Sequence, residues 1–134
     1  MSYWLLKTEP STYGWADLER ERRTAWTGVA NPLAQKHLKA IRPGDELLIY
    51  HTGNEKAVVG VGRAVGEPYP DPKSPKLAVV DLEPVRRLAR AVTLAELKAA
   101  PAFADFALVR LPRLSVMPVT AGQWAEVERL AKQS

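Results

Sequence analysis

Apolar and polar positions along this chain switch repeatedly between a period of two and a period near 3.6, and those switches predict its elements. Tyr3-Trp4-Leu5-Leu6-Lys7 is an apolar run ahead of Glu9-Pro10 and predicts a first strand. Ser11-Thr12-Tyr13-Gly14 reads as a turn, and Trp15 to Arg20 as one or two helical turns. Asn31-Pro32 opens a helix, because Asn supplies a capping oxygen and Pro in the first helical position loses no needed N–H. Ala34, His37, Leu38 and Ile41 then share an inward face, Gln35, Lys36 and Lys39 point elsewhere, and Arg42-Pro43-Gly44 stops the helix. Asp45 to His51 and Ala57 to Val65 predict two strands joined by a turn around Gly53-Asn54. Lys76 to Val85 and Arg113 to Met117 predict two more, while the prolines between Glu67 and Pro75 argue against regular structure there. Thr93 with Glu96, and Thr120 with Gln123, form capping boxes. The first opens a short helix ending near Pro101, and the second a terminal helix with Trp124, Val127, Leu130 and Ala131 inward.

The element order is therefore β-α-α-β-β-β-α-β-α, a mixed α+β fold in one domain over residues 1–134. Most strand connections are too short for parallel crossovers, so the sheet should be mostly antiparallel. About five strands, bent where Gly60, Gly62 and Gly66 interrupt one of them, predict a small curved or closed barrel flanked by short helices. The same glycines do not make a dinucleotide fingerprint, because the spacing is one residue too long and a strand continues where a helix should open.

Composition narrows the chemistry. The chain has no cysteine, which removes thiolate catalysis, disulfides and cysteine zinc sites. Its two histidines, His37 and His51, lack metal-site spacing, so neither a metal nor a cofactor is expected. The apolar run at the N-terminus is shorter than a signal peptide requires, and no stretch approaches a membrane span, so a cytoplasmic protein without a membrane role is expected. The net charge of +4 is a mild lean toward polyanions.

Three segments carry candidate chemistry. Trp26-Thr27-Gly28-Val29-Ala30-Asn31 places an indole in a polar loop just before a capped helix. Trp26 either stacks on a base or plugs the end of the barrel, and Asn31 either reads a base edge or only caps. Tyr50-His51 ends a strand, where His51 can meet a ligand or make a structural hydrogen bond. Lys7-Thr8-Glu9 puts a lysine and a carboxylate on one strand face, as a base and electrophile pair or as a mutual salt bridge. Arg20, Arg22 and Arg23, with Lys36 and Lys39, are candidates for a phosphate-binding rim.

Taken together, these segments resemble the EVE domain, a member of the PUA-like superfamily of small β-barrels. The resemblance rests on Tyr3 to Pro10, Trp26 to Asn31, Tyr50-His51-Thr52, Tyr69-Pro70-Asp71, Val80-Asp81-Leu82 and Arg113 to Pro118, in that order over nearly the whole chain. It implies a nucleic-acid-binding module that recognises a modified base in DNA or RNA. The pocket it implies comprises Trp26, Gly28, Val29 and Asn31, with Tyr50, His51 and the strand end Lys7, Glu9 and Pro10. Ala30 stands where the family often has Arg, Pro32 where it has an aromatic, and Lys76-Leu77 where a tryptophan is common, so the pocket should be less basic here. The alternative is a PUA-like amidohydrolase acting on a modified nucleoside through Lys7 and Glu9. The oligomeric state is left open.

Overall fold

Two apolar strands distant in sequence pair side by side and organise the rest. In the computed structural model, which describes residues 1–133, β1 (Tyr3–Thr8) runs parallel to β3 (Glu46–His51), from Tyr3 beside Glu46 to Thr8 beside His51. A parallel pair cannot be joined by a tight turn, so the chain between them must cross over. That crossover carries α1 (Trp15–Glu21), β2 (Thr24–Trp26) and α2 (Pro32–Ala40). After β3, a turn with Gly53 at φ +74° leads into β4 (Ala57–Ala64). A hairpin of β5 (Tyr69–Asp71) and β6 (Ser74–Thr93) follows. The short helices α3 (Leu94–Ala99) and α4 (Ala107–Arg110) then lead to β7 (Val116–Val119) and the terminal α5 (Ala121–Ala131).

The strands form one curled sheet in the order β2-β6-β4-β3-β1-β7, with β5 paired to β6 off that path. Every pairing except β1 with β3 is antiparallel. The mixed α+β, mostly antiparallel half-barrel agrees with the expectation, but the described residues form seven strands, not about five. β2 has only three residues and is fixed by its non-local partner β6, so no local period announces it. β5 lies in the proline-rich stretch read as irregular, and Pro70 pairs with Ala78 there; proline is tolerated at such short, peripheral positions. β6 runs to Thr93, past the predicted end at Val85, because its second half pairs with β4 across two register shifts. The last strand starts at Val116 and not at Arg113.

The core is built from Leu5, Leu6, Leu18, Leu38, Ile41, Leu47 to Ile49 and the inward residues of α5, all buried. Asp45 is buried with them, where its carboxylate accepts from the Ser2 N–H (3.0 Å), the Trp4 indole (2.9 Å) and the Arg42 N–H (2.9 Å). Burial alone would raise its pKa, but these donors hold it below the usual carboxylate range. Gln35, assigned outward from the helical period, is 5 % exposed. Its amide donates to Val29 O (2.6 Å) and Ala78 O (3.1 Å) and accepts from Ala78 N (2.8 Å), so every group it buries has a partner.

The packing of Trp15 against β4 depends on Gly60. A Cβ there would lie 2.6 Å from the ring of Trp15, which is 1 % exposed and has no room to retreat. Gly60→Ala should lower unfolding stability by about 1–3 kcal/mol, read from the denaturant midpoint at an unchanged m value. Acid provides a second check. Glu96 is held down to about 2, first by the Arg90 guanidinium and then by the Thr93 N–H it caps. A depressed folded-state pKa contributes stability above the ordinary value of 4.5 that is lost as pH falls toward 2. Glu96→Gln should therefore be less stable at neutral pH and should lose less stability between pH ~5 and ~2, followed by thermal melts.

Candidate functional site

The turn after β1 folds back because the N–H groups of Thr12 and Tyr13 both donate to Glu9 O at 2.9 Å, and the Thr8 hydroxyl donates to Tyr13 O at 2.6 Å. This brings the Tyr13 ring against Trp26 of β2, at 6.1 Å between centroids and 88° between planes. The two rings form an L-shaped corner. Around it lies a cleft of 390 Å³ lined by Thr8, Thr12, Tyr13 and the run Thr24 to Gly28. Its size falls in the usual range for small-ligand pockets, about 300–1,000 Å³, and it combines aromatic walls with four threonine hydroxyls. Trp26 is itself 7 % exposed, a wall fixed in the core with one part open to the cleft. Burial pushes the Tyr13 phenol above its ordinary pKa, with its hydroxyl donating to Glu21 at 2.7 Å, so it is a neutral donor at physiological pH. Gly28 takes φ +79°, a conformation that favours glycine, and lets the chain turn from the cleft floor into α2.

The residues expected to share one pocket are distributed more widely. Trp26 and Gly28 line the cleft, with Trp26 on a strand and not in a loop. Val29 is buried and offers only its carbonyl, to Gln35. Asn31 caps α2 by accepting from Ala34 N at 3.0 Å and faces a separate 370 Å³ cavity with Leu33 and the segment Arg110 to Leu114. Lys7 donates to Pro112 O at 2.8 Å on that second side, with its ammonium 6.0 Å from the centre of the Tyr50 ring. Burial lowers the Lys7 pKa and raises that of Tyr50. Glu9 makes no pair with Lys7; it accepts from the Ser11 hydroxyl (3.0 Å) and the Thr52 hydroxyl (3.2 Å). Pro10 only begins the turn. Both ring nitrogens of His51 are engaged, Nε2 accepting from the Trp15 N–H (3.0 Å) and Nδ1 facing Glu55 (2.7 Å), so it anchors the start of α1. His37 sits at the boundary beside Trp4, and burial lowers its pKa.

The expected rim also divides. Arg20 pairs with Asp17 and Arg23 with Asp81, while Arg22, Lys36 and Lys39 are exposed without an ion pair among the described residues. The sequence reading missed Thr8, Thr12, Tyr13, Thr24, Ala25 and Thr27. An aromatic inside the turn Ser11 to Gly14 was the one available signal, since a turn does not ordinarily need a tyrosine. Among the described residues, no three metal-ligating side chains gather, and no helix is long and apolar enough to cross a membrane.

A curled, mostly antiparallel half-barrel with an aromatic cleft beside its parallel strand ends defines a protein of the PUA-like class. Within that class the chain belongs to the EVE domain family, whose model matches residues 2–130. It is 30% identical to human thymocyte nuclear protein 1 over 89% of this chain and 69% of that protein. A Rhodopseudomonas palustris protein solved by NMR superposes with a TM-score of 0.92 at 41% identity, covering 98% of this chain and 93% of its own. Human THYN1 protein, solved in complex with 5-methylcytosine containing DNA, superposes with a TM-score of 0.90 at 28% identity over 100% of this chain and 99% of its own. ASCH from Zymomonas mobilis, at 13% identity and a TM-score of 0.57, shares the fold alone.

Gln35 is the strut that holds the floor of the cleft, since it ties Val29, next to Gly28, to Ala78 of β6. Gln35→Leu would strip partners from three buried backbone groups, at about 1–3 kcal/mol for each one left unsatisfied. The expected result is a clear drop in melting temperature and faster hydrogen exchange at the Ala78 N–H.

Proposed function

We propose that this chain binds nucleic acid by taking one extruded, modified nucleobase into the cleft between Tyr13 and Trp26. The single observation that carries this reading is the perpendicular pair of rings over a cleft of base-binding size. One face of a base can stack on an aromatic wall, at about 1–3 kcal/mol by alanine substitution. The threonine hydroxyls and exposed backbone of Thr24 to Gly28 then face its edge, where a modification alters shape and hydrogen bonding. A base inside a duplex cannot reach such a cleft, so the substrate is single-stranded or flipped out. The complex of human THYN1 protein with 5-methylcytosine containing DNA supports the same reading, and makes 5-methylcytosine the first probe.

The site is a reader and not a catalyst. A hydrolase would need Lys7 and Glu9 to converge on one substrate, whereas Lys7 turns to Pro112 O and Glu9 is held by Ser11 and Thr52. Asn31 caps α2 and lines the separate cavity with Leu33, which favours a supporting role for it over base reading.

The test measures binding of single-stranded oligonucleotides with and without a central 5-methylcytosine. Trp26→Phe should keep the fold, reduce affinity severalfold and shrink the preference for the modified base, because the smaller ring covers less of it. Asn31→Asp keeps the cap and should leave the preference unchanged. Preference lost in Asn31→Asp and retained in Trp26→Phe would move the base site to the cavity of Leu33 and Pro112. Turnover of a free modified nucleoside that disappears in Lys7→Ala would replace the reader by the hydrolase.

A further inference from the structure

The cations of this chain are not equivalent. Nine of its eleven arginines are ion-paired within the described residues, whereas none of its eight lysines is. Positive charge available to a polyanion therefore resides mainly in lysines. Four of those eight, Lys36, Lys39, Lys73 and Lys76, belong to α2 and the β5–β6 hairpin. Lys36 and Lys39 are three apart on α2 and so share a face. Lys39 and Lys76 line opposite sides of one open groove of 380 Å³ between that helix and that hairpin.

The groove contains more than charge. Tyr69 lines it and is 38 % exposed, a large aromatic left in solvent. Its hydroxyl donates to Asp81 at 2.5 Å, and Asp81 also takes Arg23 at 3.1 Å, so the ring is held in place and the carboxylate beside it is neutralised. The one acid among the residues lining the groove, Glu67, is matched by Arg42 at 3.4 Å. Lys39 and Lys76 remain as an uncompensated pair facing a fixed aromatic ring. Cations that track a backbone beside a ring that stacks a base are what single-strand binders present.

The groove is also physically tied to the cleft. Trp26 pairs with Val80 of β6 and Tyr69 pairs with Val79, adjacent residues of one strand. Arg23, on the node at Asp81, precedes Thr24 of the cleft wall.

We infer that the groove between α2 and the β5–β6 hairpin is a second nucleotide subsite, in which Tyr69 stacks a base flanking the one in the cleft while Lys39 and Lys76 hold its phosphates. This rests on the base-reading function proposed for the cleft and adds to it where the rest of the strand runs. The cleft then supplies discrimination, and the groove supplies affinity that is indifferent to the modification.

The experiment uses the full chain and two probes, a free 5-methylcytosine nucleoside and single-stranded DNA of about eight nucleotides with a central 5-methylcytosine or cytosine. Lys39→Gln with Lys76→Gln should weaken both oligonucleotides on the order of tenfold, and should reduce the steepness of log K against log salt by about 1.4, as loss of two single-strand phosphate contacts requires. The ratio of modified to unmodified affinity, and the affinity for the free nucleoside, should not move. Tyr69→Leu should weaken the oligonucleotides at least about fivefold, and Tyr69→Phe, which keeps the ring but loses its tether to Asp81, should weaken them clearly less. Lys98→Gln with Lys132→Gln removes the same net charge elsewhere and should leave binding within about twofold at moderate salt. Equal losses in both double variants, or an unchanged salt dependence in the first, would overturn the subsite. So would retained oligonucleotide affinity combined with lost capture by anionic phospholipid vesicles, which would assign the groove to lipid headgroups. Failure of the base reading shows separately, as a modified-base preference indifferent to Trp26→Phe.

Discussion

The parallel pairing of β1 with β3 is the constraint on which the rest of this structure depends. A parallel register from Tyr3 beside Glu46 to Thr8 beside His51 makes both strands end at the same edge of the sheet. It also obliges the chain from Glu9 to Asp45 to leave that edge, cross over and return. Apart from Thr8 at the end of β1, everything that lines the cleft lies on the early part of that crossover: the turn with Thr12 and Tyr13, and β2 with the residues after it. Open α/β sheets place ligands beyond the carboxyl ends of parallel strands for the same reason, because that is where neighbouring connections diverge and leave a crevice. Here a single parallel pair in an otherwise antiparallel sheet is enough.

What keeps the crevice from collapsing is a small set of buried polar groups with complete hydrogen bonding. His51 receives the first N–H of α1 and so fixes the direction in which the crossover departs. Gln35 ties the loop after β2 to β6, and Asp45 gathers three donors where the crossover returns to β3. Each would be costly if unpaired and is inexpensive when satisfied, so together they favour one arrangement of the loops over its neighbours. Gly60 acts in the opposite sense, by absence: it lets Trp15 lie flat on β4 and brings α1, with the turn before it, close to the sheet.

Much of this was legible in the residues. Caps at Asn31, Thr93 and Thr120, and the apolar periods after them, place α2, α3 and α5 correctly, because a helix end is a local event decided within four residues. The strands β1, β3 and β4 carry their own apolar runs and were equally visible. The failures share one cause. β2 and β5, with three residues each, exist because β6 lies beside them, and Gln35 turns inward because Ala78, far along the chain, and the Val29 carbonyl before the helix offer partners. None of those partners is within reach of a local period.

The site divides in the same way. The sequence by itself singled out Trp26 and Gly28 ahead of a capped helix, but it read Trp26 as a loop residue and not as part of β2. The absence of cysteine likewise removed thiolate and disulfide chemistry. Only the tertiary structure decided that Tyr13 is the partner of Trp26, that Asn31 lines a different cavity, and that Lys7 and Glu9 make no pair. It alone decided which cations are spent on neighbouring carboxylates and which remain open to solvent. Composition counts charges and local pattern places elements, but the pairing of side chains from separate strands is settled by the register of the sheet, which no segment of this chain carries alone.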